Sequence, residues 1–194
     1  MEDLQTIKRA SEFTLEIKKS QFIAHLVPIA DFQSTLEHLQ DCHKKARHFV
    51  WATRQLNEYE QIVENCTDDG EPKSTSGKPT LKVLQGHKII NAAIITVRYF
   101  GGIKLGTGGL VRAYNDAAQQ AVQGAVLIPL SSLYRETIRV PYPQIRHAEY
   151  LLKQQPVKIL KKDFNAGHVD LTLQGEQTTI TNIYDQIEGA SRPA

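Results

Sequence analysis

A strand pattern that runs directly into a glycine-rich loop constrains this fold most. The residues from Asn91 to Phe100 (NAAIITVRYF) are mainly β-branched, aromatic or apolar, as in a buried strand. Five glycines then fall within nine residues, in the segment GGIKLGTGG. Apolar residues recur at helical spacing from Leu110 to Val122, and Gly124 is a natural helix end. The sequence therefore predicts a strand, a tight loop and a long helix that Thr107 caps.

The residues before this pattern alternate between strand and helix signals. Asp31 is a good helix N-cap, because Phe32, Leu36 and Leu39 follow it at helical spacing. The segment TDDGEPKSTSGKP is crowded with turn-forming residues and predicts a loop over 67–79. The predicted strands are 13–17, 20–27, 48–56 and a short one at 61–66, and the predicted helices are 31–45 and 79–85.

The last third of the chain has its own order of elements. It predicts a strand at 134–140, a helix at 144–155, a hairpin of 157–164 with 168–173, and a helix at 178–187. This β-α-β-β-α order is most of a split β-α-β sandwich. Pro129 and two serines interrupt the pattern near 128–132, so we expect two domains, 1–130 and 131–194.

The composition excludes several classes of protein. Hydrophobic residues make up 41% and charged residues 23%, as in globular proteins with a core. No apolar run is long enough to span a membrane, and the first residues lack the apolar segment of a secretory signal. The two cysteines, Cys42 and Cys66, are too few for a disulfide framework and favour a reducing cytoplasm. Membrane-spanning, collagen-like, disulfide-rich and disordered classes are therefore excluded.

The charges are segregated along the chain although the formal net charge is only +2. From Pro72 to Asn115 there is no Asp or Glu, while seven Lys and Arg residues occur there. Local charge sets the potential at a surface, so this stretch can attract anions such as nucleic-acid phosphates. The alternative is that acidic residues lie opposite these cations, and Asp68, Asp69 and Glu71 immediately precede the stretch.

The glycine loop offers a second anion signal. Glycines let backbone N–H groups approach a ligand, and a helix start adds unpaired N–H groups with a positive dipole end. Lys104 and Arg112 flank the same place. The loop is neither a Walker A motif nor a clean dinucleotide fingerprint. A tight chain reversal is the alternative explanation for the glycines.

Sites of other chemistry are weaker. Asp68, Asp69 and Glu71 could ligate a hard cation such as magnesium, although Asp-Asp-Gly is also a common turn. A Cys66–His48 nucleophile pair lacks any feature that would orient it. The residues from which a zinc site could be drawn are His38, Cys42, His43, His48 and Cys66, but they lack zinc-finger spacing.

Two long motifs identify a family. TDDGEPKSTSGKPTL and ITVRYFGGIKLGTGGLVRAY resemble the signature of the YigZ/IMPACT family, and IKKSQFIAHLVPI and ARHFVWA resemble its earlier segments. The close likeness covers about residues 12–125, and the remainder resembles the small C-terminal domain of bacterial members.

The resemblance implies an α+β protein. It implies a two-layer N-terminal domain like domain IV of elongation factor G and a ferredoxin-like C-terminal domain. The chain ends in EGASRPA, so the last strand of that domain is expected to be missing or irregular. Bacterial members have been proposed to bind nucleic acid, and eukaryotic relatives regulate translation, which implies a loose link to the translation machinery.

We therefore predict a cytoplasmic, non-enzymatic protein that binds RNA or the ribosome, without a cofactor, without a metal and without a membrane. A protein partner in the translation machinery is a further expectation. The alternatives are an enzyme acting on a phosphorylated small molecule and a protein–protein adaptor. The predicted anion-binding residues are Lys73, Lys78, Arg98, Lys104, Gly106, Thr107, Gly108, Gly109 and Arg112.

Overall fold

The computed structural model of the chain describes residues 4–193. It divides after Leu130 into two compact units, each with its own hydrophobic core. The mixed α+β class predicted from the sequence is confirmed. No helix among the described residues is long and apolar enough to cross a bilayer.

The first unit is built from seven strands and three helices within its described part. The strands are β1 (Gln5–Arg9), β2 (Ser11–Ile17), β3 (Ser20–Pro28), β4 (His48–Leu56), β5 (Ile62–Thr67), β6 (Ala92–Tyr99) and β7 (Val126–Pro129). The helices are α1 (Phe32–Cys42), α2 (Gly77–Gly86) and α3 (Gly106–Gly124).

Five strands form an antiparallel sheet in the order β2-β3-β6-β4-β5. Helices α2 and α3 pack on one face, where Phe22, Leu84 and Tyr114 are fully buried. Helix α1 covers part of the other face through Leu39, near Ile95. Because β6 is central and covered on both sides, it is buried from Ala92 to Arg98 and mainly apolar rather than alternating.

Several boundaries differ from the sequence-based prediction. Helix α1 ends at Cys42 rather than near Lys45, because His43 leaves helical geometry. Helix α2 begins at Gly77, two residues before Pro79, because a side chain in the preceding loop caps it there. Strands β1 and β7 were not predicted, and they pair with each other outside the main sheet.

The second unit has the predicted β-α-β-β-α order. Its elements are β8 (Tyr134–Pro141), α4 (Ile145–Lys153), β9 (Lys158–Phe164), β10 (His168–Gly175) and α5 (Gln177–Asp185). The strands form an antiparallel sheet in the order β8-β10-β9. After α5, Ser191 makes an isolated antiparallel bridge to Arg139 of β8, and no regular strand follows within the described residues.

Candidate anion-binding site

The register of the main sheet brings four connecting segments to one end. His48 pairs with Arg98, and Trp51 pairs with Thr67. Strand β3 begins beside the end of β6, where Gln21 pairs with Tyr99. The segments that meet there are the turn 18–19 and the loops 43–47, 68–76 and 100–105. We call this the glycine-loop end of the sheet, and both α2 and α3 begin at it.

Asp68 organises the loop between β5 and α2. Its Oδ1 accepts hydrogen bonds from the Ser76 N–H at 3.1 Å, the Ser76 hydroxyl at 2.8 Å and the Gly77 N–H at 2.9 Å. Its Oδ2 accepts one from the Ser74 N–H at 2.7 Å. Burial alone would raise the pKa of Asp68, but these hydrogen bonds outweigh it and lower the pKa. The carboxylate therefore caps α2.

The other two acidic residues of the loop also have structural partners. Asp69 accepts a hydrogen bond from the Phe49 N–H at 2.6 Å, and its carbonyl oxygen lies 2.8 Å from Nδ1 of His48. Glu71 is buried and ion-paired with Arg98. Asp68, Asp69 and Glu71, the weak candidates for a metal site, are therefore engaged in bonds that hold the loop in the fold. No group of three or more possible ligands occurs anywhere in 4–193.

Arg98 is an internal ion-pair residue rather than an exposed cation. It is 6% exposed, and its Nη1 donates to Oε1 of Glu71. The same oxygen accepts a hydrogen bond from the Tyr114 hydroxyl at 2.8 Å. Burial, and next the Glu71 charge, raise the pKa of Tyr114 strongly, so its hydroxyl remains a donor. The strand position of Arg98 explains this, since β6 is buried on both faces.

Helix α3 begins in the glycine loop without a side-chain cap. Its first residue is Gly106, whose φ of 72° favours glycine, and Leu105 occupies the N-cap position. Thr107 lies inside the helix, so the prediction that it caps α3 is wrong. A Cβ at Gly108 would meet no atom within 4 Å, so this residue has open space beside it. Residues 106–108 are exposed, so the first N–H groups of α3 are accessible for an anion.

A cavity of about 390 Å³ opens beside this helix start. Its walls are mainly apolar, and the buried Glu71–Arg98 pair forms part of them. Of the predicted anion-binding residues, Arg98, Lys104, Gly106 and Thr107 line it. The full lining is Arg47, His48, Glu71, Pro72, Arg98, Phe100, Lys104, Leu105, Gly106, Thr107 and Leu110.

The remaining predicted cations lie around the cavity rather than in it. Lys73 follows the cavity-lining Pro72, Lys78 is in the first turn of α2, and Arg112 is in the second turn of α3. All three are exposed, as is Lys104. Within residues 4–193, none of the four forms an ion pair with a carboxylate.

The fold adds cations that the sequence-based prediction missed. These exposed residues lie on the turn 18–19 and the loop 43–47, and they are Lys18, Lys19, Lys44, Lys45 and Arg47. The only sequence signal for them is the repeated Lys-Lys pair, which is not specific. Four acidic residues in or beside the four connecting segments make no ion pair within residues 4–193: Glu16, Asp41, Asp68 and Asp69. Cations therefore outnumber acids at the glycine-loop end.

The histidines and cysteines considered for a zinc or nucleophile site do not gather in one place. Cys42 and His38 contact each other on α1, with 3.5 Å between Sγ and Nε2. His43 instead bonds the Tyr99 hydroxyl at 2.8 Å. Cys66 pairs with Ala52 on the sheet, four residues from His48 in β4. Both cysteines are unbridged.

Comparison with known proteins identifies the family of this chain. The Impact N-terminal domain matches residues 18–122. An IMPACT family member of Haemophilus influenzae is 37% identical over 179 residues, which is 89% of this chain and 85% of that protein. This chain belongs to the IMPACT family. The family member YigZ of Escherichia coli is 36% identical over 156 residues, covering 78% of this chain and 76% of YigZ.

The IMPACT assignment extends to both units of the fold. A crystal structure of a hypothetical protein matches with a TM-score of 0.63 at 31% identity. The match covers 96% of this chain and 91% of that one. The family resemblance predicted from the two loop motifs is therefore confirmed.

Proposed function

We propose that this protein binds RNA, free or in the ribosome, through the glycine-loop end of its main sheet, without catalysing a reaction. The observation that carries the proposal is the gathering there of exposed Lys and Arg residues that have no carboxylate partner in the described part of the chain. Lys73, Lys78, Lys104 and Arg112 contribute phosphate contacts, and the Gly106–Gly109 amides add donors. Such contacts give affinity without reading the base sequence.

A polyanion suits this surface better than a small anion does. The cations come from several separate chain segments, so the positive potential extends along the end of the sheet. A single phosphate would contact only those closest to α3. The resemblance to translation regulators makes RNA of the translation machinery the preferred polyanion, with a protein partner there as a further possibility and the cytoplasm as its compartment.

The enzyme alternative has a cavity of suitable size, but the carboxylates beside it are held by the fold. Glu71 is the acidic residue in its lining, and Arg98 and Tyr114 occupy that carboxylate. Asp68 and Asp69 bond backbone N–H groups instead. His48 also lines the cavity, with its Nδ1 2.8 Å from the Asp69 carbonyl oxygen. Histidine can serve as a general base, so the enzyme alternative rests on His48, whereas the spread of exposed cations around the cavity favours binding.

Salt dependence tests the proposal. Fluorescence anisotropy with a labelled structured RNA is measured over a series of salt concentrations for wild type, Lys104→Gln and Lys88→Gln. We expect Lys104→Gln to weaken binding and to flatten the plot of log affinity against log salt by about 0.7 to 0.9, the value for one phosphate contact. Lys88 is also exposed but precedes β6 at the opposite end of the sheet, so Lys88→Gln should match wild type.

Two results would contradict the proposal. One is that wild type fails to bind RNA at low salt. The other is that Lys104→Gln and Lys88→Gln reduce the slope equally, because binding would then depend on total charge rather than on the glycine-loop end.

A further inference from the structure

We propose that the cavity beside the start of α3 takes up one unstacked nucleotide of a bound RNA strand. The base would lie against Phe100 and the phosphate at the first turn of α3. This inference rests on the proposed function and adds a defined subsite to it. The ligand chemistry is that of a nucleoside phosphate, which a single strand or a free nucleotide can supply.

The cavity has the size and polarity of a nucleotide site. Its volume of about 390 Å³ lies at the lower end of the range of about 300 to 1,000 Å³ that is usual for small-ligand pockets. Pro72, Leu105 and Leu110 give it apolar walls. A phosphate alone would leave those walls in water, whereas a base with its own phosphate matches both the walls and the cationic rim.

Phe100 is placed to stack on a base. It lines the cavity and is 53% exposed, although it directly follows the buried strand β6. The Arg98 guanidinium carbon lies 5.7 Å from the centre of its ring and 5.3 Å from that of Phe22. One side of Phe100 is therefore supported by the fold while half of its surface remains available. Aromatic side chains of this kind bind unpaired bases without regard to sequence.

Anion donors surround the mouth of the same cavity. Lys104 and Arg47 are exposed residues of its lining, and neither has an ion-pair partner in 4–193. Thr107 adds a hydroxyl, and the uncapped N–H groups of α3 lie alongside. The open space at Gly108 lets a phosphate approach them.

Arg98 supplies an independent indication of a ligand. Its side chain is more than nine-tenths buried and lines the cavity, yet its Nε has no hydrogen-bond partner among residues 4–193. A buried guanidinium N–H without a partner is costly in a finished fold. An oxygen or nitrogen acceptor of a bound nucleotide would satisfy it.

The test compares Phe100→Ala with Phe164→Ala. Phe164 is a matched control because it is 70% exposed and belongs to the second unit. Anisotropy is measured with a labelled oligoadenylate of about ten nucleotides. We expect Phe100→Ala to bind about tenfold more weakly, the effect of losing one base stack, with an unchanged salt slope. A strand of the same length without bases should bind both variants equally.

The outcomes separate this subsite from RNA binding itself. Unchanged oligoadenylate affinity in Phe100→Ala overturns the subsite while leaving the cationic surface in place. If wild type binds no RNA at low salt, the proposed function fails, and titration with adenosine 5′-monophosphate decides the subsite alone. Binding of this nucleotide that Phe100→Ala abolishes supports it, and no binding overturns it.

Discussion

At the scale of single residues, Arg98 shows how burial changes the role of a charge. The sequence predicts Arg98 as an anion-binding cation, although its place in a strand equally allows an internal ion pair. In the fold, the ion pair with Glu71 cancels its charge. The pair instead holds the loop after β5 against β6, and Tyr114 adds a hydrogen bond from α3. Attraction for an anion then depends on exposed neighbours such as Lys104. Structural and binding charges are thus separate residues at this site.

Asp68 makes the clearest prediction for one residue. Asp68→Ala removes four hydrogen bonds to the loop and to the start of α2, so we expect the free energy of unfolding to fall by about 2 kcal/mol at pH 7. The folded-state pKa of Asp68 lies below its unfolded value of about 3.9. Its stabilisation is therefore fully present above that value and is lost as the pH falls through the folded pKa.

Urea unfolding at pH 7, and again below pH 4, measures this effect. The stability difference between wild type and Asp68→Ala should shrink at the lower pH. Asp41→Asn is the control, because Asp41 is exposed and has no ion pair in the described chain. A difference that stays constant with pH would show that the charge of Asp68 does not stabilise the loop.

At the scale of elements, a substitution at the start of α3 is expected to change protein stability and RNA affinity in opposite directions. Gly108 is helical and has open space around its Cβ position, so the fold does not require glycine there. Glycine costs about 0.5 to 1 kcal/mol relative to alanine inside a helix. We expect Gly108→Ala to raise the thermal midpoint but to weaken RNA binding, because the methyl group occupies the approach to the first N–H groups.

Gly86→Ala is the matched control for this element. Gly86 ends α2, and a Cβ there also meets nothing within 4 Å. Thermal unfolding followed by circular dichroism and RNA anisotropy are measured on both variants. If both variants lose RNA affinity, or if Gly108→Ala keeps it, the start of α3 is not a specific RNA contact.

The sequence predicted those elements whose own residues show a strand or helix pattern. The apolar run of β6 and the helical spacing of α3 are such cases, and both are confirmed. Strand β1 has no regular alternation and β7 is short, and each forms only because the other reaches it from a distant part of the chain. A pairing of that kind leaves no trace in either segment alone.

The candidate site was predictable only in part for the same reason. The glycine loop and Lys104 adjoin in sequence, so local reasoning places them together. Arg47 and Lys19 reach the site through the antiparallel register of β3, β4 and β6. The ion pair of Glu71 with Arg98 joins residues that are 27 positions apart. Their association depends on tertiary packing, which sequence spacing does not encode.

At the scale of the whole molecule, charge distribution matters more than total charge. A net charge of +2 provides little attraction for a polyanion. The main sheet concentrates cations at one end, and the loop between β4 and β5 at the other end carries Glu58 and Glu60. Attraction is therefore directional, and it should be strongest at low ionic strength, where screening is weaker and the positive potential extends over longer distances.

The two units have separate cores, which predicts that they unfold separately. Leu171 is 1% exposed in the core of the second unit, so Leu171→Ala should destabilise that unit by about 3 kcal/mol. Trp51 is the single tryptophan of the chain and lies in β4, so its fluorescence reports the first unit. We expect the urea transition seen by tryptophan fluorescence to stay in place while circular dichroism detects an earlier transition.

RNA binding measured on the same variant completes this prediction. Because every residue of the candidate site belongs to the first unit, Leu171→Ala should retain wild-type affinity even in urea that unfolds the second unit. Val50→Ala is the counterpart in the first unit, where Val50 is fully buried, and it should move the fluorescence transition. If Leu171→Ala moves that transition as well, the units unfold as one, and a site confined to the first unit would no longer be independent of the second.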